Sequence, residues 1–283
     1  MTAEAAPKKP ASNLAVRVAT ALVAVPIILG LLYKVPPIGF YGLVLPASLV
    51  GAWELFAMSH PGDRPSQAIG VALSAAASLA VYFGTANDMR IVVTALVAVP
   101  LAGQLVTLVR LGEIKTAALR SFAMGLGPLI VAVPLTLLAV VQRDLGADGP
   151  GFVLMTLMFA WLSDTGGYFA GRFLGRHKLY EAVSPKKTIE GAVGGLCGSV
   201  LGALLAHFGF LRSLPLVDGV VLAIVAGAVG QAGDLGESLV KRSTGVKDSG
   251  QIVPGHGGVL DRIDALLMTS ACVYVYVLWF RGH

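Results

Sequence analysis

A chain of 283 residues with 55% hydrophobic and only 13% charged residues cannot cover a water-facing surface, since an ordinary soluble domain carries roughly a quarter charged residues. Together with the mean hydropathy of +0.78, this excludes a soluble globular protein and predicts that much of the surface faces lipid. The net charge of +5 then reads first as membrane topology and lipid-headgroup contact, with no nucleic-acid partner expected.

Residues 1–13 are polar and rich in Ala, Pro and Lys, and are expected to form a disordered cytoplasmic tail. The apolar run that follows is long enough to span and lacks a small-residue cleavage site, so it is expected to be a retained first span. Nine candidate spans follow in order: near Leu14–Tyr33, Gly39–Met58, Gln67–Ala86, Ile91–Val109, Phe122–Val141, Phe152–Phe173, Ala192–Leu211, Val217–Val240 and Ala265–Phe280. Short connectors such as Pro36-Pro37, Pro61-Gly62 and Asn87-Asp88 carry turn-forming residues. With the N-terminus inside, only Lys34, Arg90, Arg143, Arg212 and Arg281 of the 21 basic residues fall outside. That bias predicts an all-α polytopic integral membrane protein with about nine helices and a cytoplasmic N-terminus. Residues 14–141 form a charge-poor set of N-terminal transmembrane helices. Residues 142–283 form a second region with acidic residues in or beside the spans and two polar loops, both on the predicted cytoplasmic side. Cys197 and Cys272 sit in apolar runs without metal-ligand spacing and are expected to be buried, inert thiols.

Ionised side chains within a span are costly and point to function. Four stand out: Glu54, Asp164, Asp234 and Glu237. Asp234, Glu237, Ser238 and Lys241 are spaced i, i+3, i+4, i+7 and share one helix face; a polar stripe that packs helices is the alternative reading. The stretch from Lys241 to Asp264 suits polyphosphate chemistry. Five glycines, among them Gly257 and Gly258, let backbone amides approach an anion. Lys241, Arg242, Lys247 and Arg262 supply positive charge, and Asp248, Asp261 and Asp264 supply hard oxygen ligands. Asp261 and Asp264, at i and i+3, could share a face. In the other loop Asp164 sits beside small residues, and Arg172, Arg176, Lys178, Lys186 and Lys187 form a cationic cluster suited to a nucleoside triphosphate or an anionic lipid.

The stretch from Ser238 to Asp264 resembles the consensus of the CDP-diacylglycerol synthase family. It carries Ser238, Lys241-Arg242, Lys247-Asp248, His256-Gly257-Gly258 and Asp261-Arg262-Ile263-Asp264 in the family's order and spacing. Gly233–Glu237, Ser163–Gly166 and Ser184–Gly191 also resemble the family. The resemblance covers the C-terminal 120 or so residues; the first half is similar only as a set of hydrophobic spans.

This resemblance implies transfer of CMP from CTP to phosphatidic acid, giving CDP-diacylglycerol and pyrophosphate. The charge bias places the site on the cytoplasmic side, and the compact single-domain build without organelle targeting leads to the expectation of a bacterial cytoplasmic membrane. The resemblance also implies Mg²⁺, with a second monovalent cation such as K⁺ as one option. Asp234 and Asp261 are expected as the main metal ligands, with Asp164, Glu237 and Asp264 as alternates. Lys241, Arg242, Lys247 and Arg262 are expected to hold phosphates, with Asp248 in the same catalytic stretch. Ser238, His256, Gly257, Gly258, Lys186, Lys187 and Asp164 are expected to contact substrate. A homodimer is one option for the assembly. Rival readings are a CTP-dependent polyprenol kinase and an ion-coupled carrier; the latter usually places its site near the midplane between related halves, and no repeat is visible here.

Overall fold

The computed structural model of the protein describes residues 13–250 and 257–281, with side chains from residue 22 onward. Among these residues there are nine α-helices: α1 (Asn13–Tyr33), α2 (Pro37–Ser59), α3 (Arg64–Asn87), α4 (Met89–Val109), α5 (Ala117–Asp144), α6 (Gly149–Phe173), α7 (Ile189–Gly209), α8 (Leu216–Ser243) and α9 (Leu260–Tyr276). Each expected span falls on one of them. Seven, α2–α5 and α7–α9, are long and apolar enough to cross a membrane. The apolar part of α1 at Leu22–Tyr33 is shorter. Helix α6 runs unbroken over 25 residues, but the run Ser163-Asp164-Thr165-Gly166-Gly167-Tyr168 breaks its apolar stretch. The chain is an all-α polytopic membrane protein. Apart from Asn13, which begins α1, the expected N-terminal tail lies outside the described residues, as does His256.

Helix boundaries follow local chemistry. Pro37 opens α2 at a position that needs no amide hydrogen. Asp63 caps α3 by accepting from the Ser66 amide at 3.3 Å, and Asp88 caps α4 from the Arg90 amide at 2.9 Å. Thr188 caps α7 by accepting from the Gly191 amide at 3.1 Å. Interior prolines at 26, 46, 100, 128 and 134 are tolerated, as is common in membrane helices.

The polar loop before α7 contains regular structure. It folds back as an antiparallel hairpin of β1 (Lys178–Tyr180) and β2 (Ser184–Thr188), pairing Lys178 with Thr188 and Tyr180 with Ser184.

Contacts sort the connections onto two ends of the bundle. At one end Asp63 binds Arg110 and Arg120, joining the α2–α3 and α4–α5 connections. The Arg242 Nε donates to the Val183 carbonyl at 3.4 Å and so ties the end of α8 to the hairpin. At the other end Arg143 binds the Tyr82 carbonyl, and Arg281 bridges Ser213 and Asp148.

Helix α9 joins two packed regions, lying against α2 and α5 on one side and against α6 and α8 on the other. Helices α6 and α7 pack closely because glycines face one another. A Cβ on Gly166 would meet the Gly194 carbonyl, and one on Gly198 would meet that of Leu162. Cys197 is exposed on α7 and Cys272 half-buried on α9, against the expectation that both are buried. The apolar surroundings that suggested burial are a lipid-facing helix surface.

Candidate active site

The C-terminal half of α8 carries the expected polar face, and α9 completes it. Carboxylate oxygens of Asp234 and Glu237 on α8 and of Asp264 on α9 lie within 4.8 Å of one another and could hold a metal ion. Glu237 and Lys241 are one turn apart, and their side chains meet at 2.7 Å. The Glu237 Oε1 atom is buried and has no hydrogen-bond partner among the described residues. An anionic oxygen left in that state is costly unless something positive completes it.

The grouping differs from the expected pairing of Asp234 with Asp261. Asp261 lies in the first turn of α9, where its Oδ2 accepts from the amides of Ser249 and Gly258, both at 2.9 Å. Its Oδ1 binds the Lys241 ammonium at 2.6 Å. Asp264, one turn further on, faces the α8 carboxylates instead. Lys241 was expected to hold phosphate, yet its side chain is only 12% exposed and its charge lies between Glu237 and Asp261.

A cavity of about 370 Å³, with charged side chains set in a largely apolar wall, opens beside Asp234, between α6, the hairpin, α7 and α8. Asp164, Arg172, Lys186, Lys187 and Thr188 line it. The Lys187 ammonium lies 2.6 Å from Asp234 Oδ2. The hairpin therefore carries the cationic pair Lys186-Lys187 to the acidic face of α8. Gln231 braces the cavity by donating to the Ala192 carbonyl at 3.0 Å. Asp164 lies within electrostatic reach of Lys187, Arg262 and Asp234.

A second cavity, of about 330 Å³, lies on the other side of the acidic cluster between α2, α5, α8 and α9. Glu237 and Asp264 form its polar edge, while Leu55, Phe122, Ile130 and Met268 are among its apolar walls. Nothing in the spacing of these apolar residues marks them out from any other span.

The remaining expected residues are placed as follows. Arg242 is exposed at the end of α8 beside Val183, Arg262 is exposed within electrostatic reach of Asp164, and Lys247 and Asp248 are exposed in the loop after α8. Ser238 is buried and lines neither cavity. Gly257 has a φ of +81°, which favours glycine, and a Cβ on Gly258 would collide with Ser249 and Glu54. Glu54, noted in the sequence for its intramembrane charge but given no role, is 1% exposed and contacts this same loop.

The fold and this site define an integral membrane protein whose acidic cluster sits between a cavity that carries cationic side chains and one that carries none among the described residues. The sequence profile of the cytidylyltransferase family matches residues 15–280, and the chain belongs to that family. It is similar to the phosphatidate cytidylyltransferase of Staphylococcus haemolyticus, with 45% identity over 132 residues, covering 47% of this chain and 51% of that one. It is also similar to that of Synechocystis sp., with 43% identity over 130 residues covering 45% and 44% of the two chains. A third is that of Staphylococcus aureus, with 44% identity over 134 residues covering 47% and 51%. The matched stretch spans about half the length of these curated relatives.

Proposed function

We propose that the protein transfers CMP from CTP to phosphatidic acid, giving CDP-diacylglycerol and pyrophosphate. The observation that carries this reading is the position of the Asp234, Glu237 and Asp264 cluster between two unlike cavities. One cavity, lined by Arg172, Lys186 and Lys187, suits a triphosphate from water. The other, apolar except at Glu237 and Asp264, suits the acyl side of a lipid. Family membership and the names of the relatives support the same reaction. The Lys and Arg bias supports nine spans with the N-terminus and the site on the cytoplasmic side of the cell membrane.

In this reaction an oxygen of the lipid phosphate attacks the α-phosphorus of CTP. The bond from that phosphorus to the bridging oxygen breaks, and pyrophosphate leaves with the electron pair. The attacking group is already an oxyanion, so no dedicated general base is required. Lys186, Lys187 and Arg172 would hold the triphosphate, and the acidic cluster would orient the phosphates through a divalent cation. Three carboxylates offering only oxygen, one of them with a buried unpartnered atom, fit Mg²⁺. When bound, that ion supplies positive charge that screens two mutually repelling anions.

Positional labelling tests the reading. Purified protein in detergent, given phosphatidic acid and CTP labelled at the α-phosphate, should produce labelled lipid. CTP labelled at the γ-phosphate should produce labelled pyrophosphate and unlabelled lipid. Label reaching lipid from the γ-position would indicate a CTP-dependent kinase and overturn the reading.

A further inference from the structure

Glu54 belongs to α2, in the half of the chain that supplies no residue to the acidic cluster, and it is almost fully buried. Its Oε1 accepts from the Val259 amide at 3.0 Å and its Oε2 from the Leu260 amide at 2.7 Å. These are among the amides that open α9, where an anion is favoured by both the unpaired donors and the helix dipole. Val259 makes no side-chain cap of its own to α9, and among the described residues its amide is met by a carboxylate 205 positions away.

Glu54 Oε2 also lies 3.0 Å from the Ser249 Oγ, which in turn lies 3.0 Å from Asp261 Oδ2. Asp261 continues to Lys241, and Lys241 to Glu237 of the cluster. The loop backbone is pressed onto this carboxylate: a Cβ on Gly250 or Gly258 would meet it directly. A polar chain therefore runs from the N-terminal helices to the acidic cluster, and Glu54 is its fixed end.

We propose that Glu54 is a positioning residue that latches the α8–α9 loop and the first turn of α9 to α2, and so sets where Asp261 and Asp264 stand relative to α8. The kinetic part of this proposal rests on the cytidylyltransferase reading; the structural part does not. Removing a partner that orients metal-binding groups typically lowers affinity or activity about 10- to 100-fold.

Two variants separate latch from fold. Glu54→Gln keeps the shape but turns a carboxamide NH2, a donor, towards one of two backbone N–H groups that need an acceptor. Ser249→Ala leaves both Glu54 contacts to the α9 amides and the bond from the residue-249 amide to Asp261, and removes only the hydroxyl that joins Glu54 to Asp261. The first readout is Mn²⁺ affinity without substrate, followed by the EPR signal of free Mn²⁺. The second is the split between kcat and the KM for CTP. Both variants should bind Mn²⁺ about tenfold more weakly or worse, and kcat should fall while KM for CTP moves little. Wild-type Mn²⁺ affinity in both variants, with only a lower unfolding midpoint, would reduce Glu54 to a helix cap and overturn the proposal. A wild type that binds Mn²⁺ but forms no CDP-diacylglycerol would sink the proposed reaction, and the Mn²⁺ comparison would still decide the role of Glu54.

Discussion

Replacing Lys241 with Met removes the cation that lies between two carboxylates. The ammonium sits 2.7 Å from Glu237 Oε2 and 2.6 Å from Asp261 Oδ1, and the three side chains are 12%, 8% and 11% exposed. Methionine fills a similar volume, so the change is mainly one of charge. Removing one partner of a buried ion pair costs about 3–5 kcal/mol, because the other charge is left uncompensated. Here two carboxylates are left facing one another, so the upper part of that range applies. At about 2–4 °C per kcal/mol for large domains, the unfolding midpoint should fall by on the order of 10 °C. The assay is thermal unfolding in detergent with EDTA present, so that no divalent cation replaces the ammonium. Lys241→Arg keeps the charge and should fall less. A Lys241→Met midpoint within about 2 °C of wild type would refute the view that Lys241 neutralises this pair.

Lys187→Met removes the cation beside Asp234 in the cavity between α6, the hairpin, α7 and α8. A charge-assisted hydrogen bond contributes about 1.5–3 kcal/mol, so the KM for CTP in the labelling assay should rise about tenfold or more. Gly198→Val should force α6 and α7 apart at the Leu162 carbonyl, at a cost of about 1–3 kcal/mol, read as a lower unfolding midpoint. Acid should destabilise the protein in two stages, seen as the unfolding midpoint against pH. His60, pushed down to about 4 by burial and by the nearby Arg120, stays neutral when folded while the unfolded chain takes up a proton below its ordinary 6.5. Its share of stability is therefore lost as pH falls from 6.5 to 4. Burial alone would raise Asp63, but hydrogen bonds from Ser66 and Arg110 outweigh it and hold the carboxyl at about 2. Its share is present above 3.8 and lost as pH falls through 2. His60→Gln should flatten the first stage and leave the second.

The helices were legible because membrane spans are set by length and hydropathy. The i, i+3 spacing of Asp234 and Glu237 likewise identified two of the three clustered carboxylates. Which of Asp261 and Asp264 joins them was not legible. That depends on the angle at which α9 crosses α8 and on the loop amides that draw Asp261 away. The hairpin at 178–188 was missed because its strands are short and their apolar-polar alternation is weak. The role of Glu54 could not be read because its partners lie about 200 positions away. An intramembrane carboxylate with no nearby basic residue was the available signal.

The most direct test compares wild type, Asp264→Asn and Asp261→Asn for Mg²⁺-dependent transfer of α-labelled CMP to phosphatidic acid. The expected result is Mg²⁺-dependent CDP-diacylglycerol from wild type. Asp264→Asn should lose most of the product and bind Mn²⁺ more weakly than Asp261→Asn, because Asp264 stands in the cluster and Asp261 beside it. Wild-type rates and Mn²⁺ affinity from Asp264→Asn would contradict the placement of the reaction at this cluster.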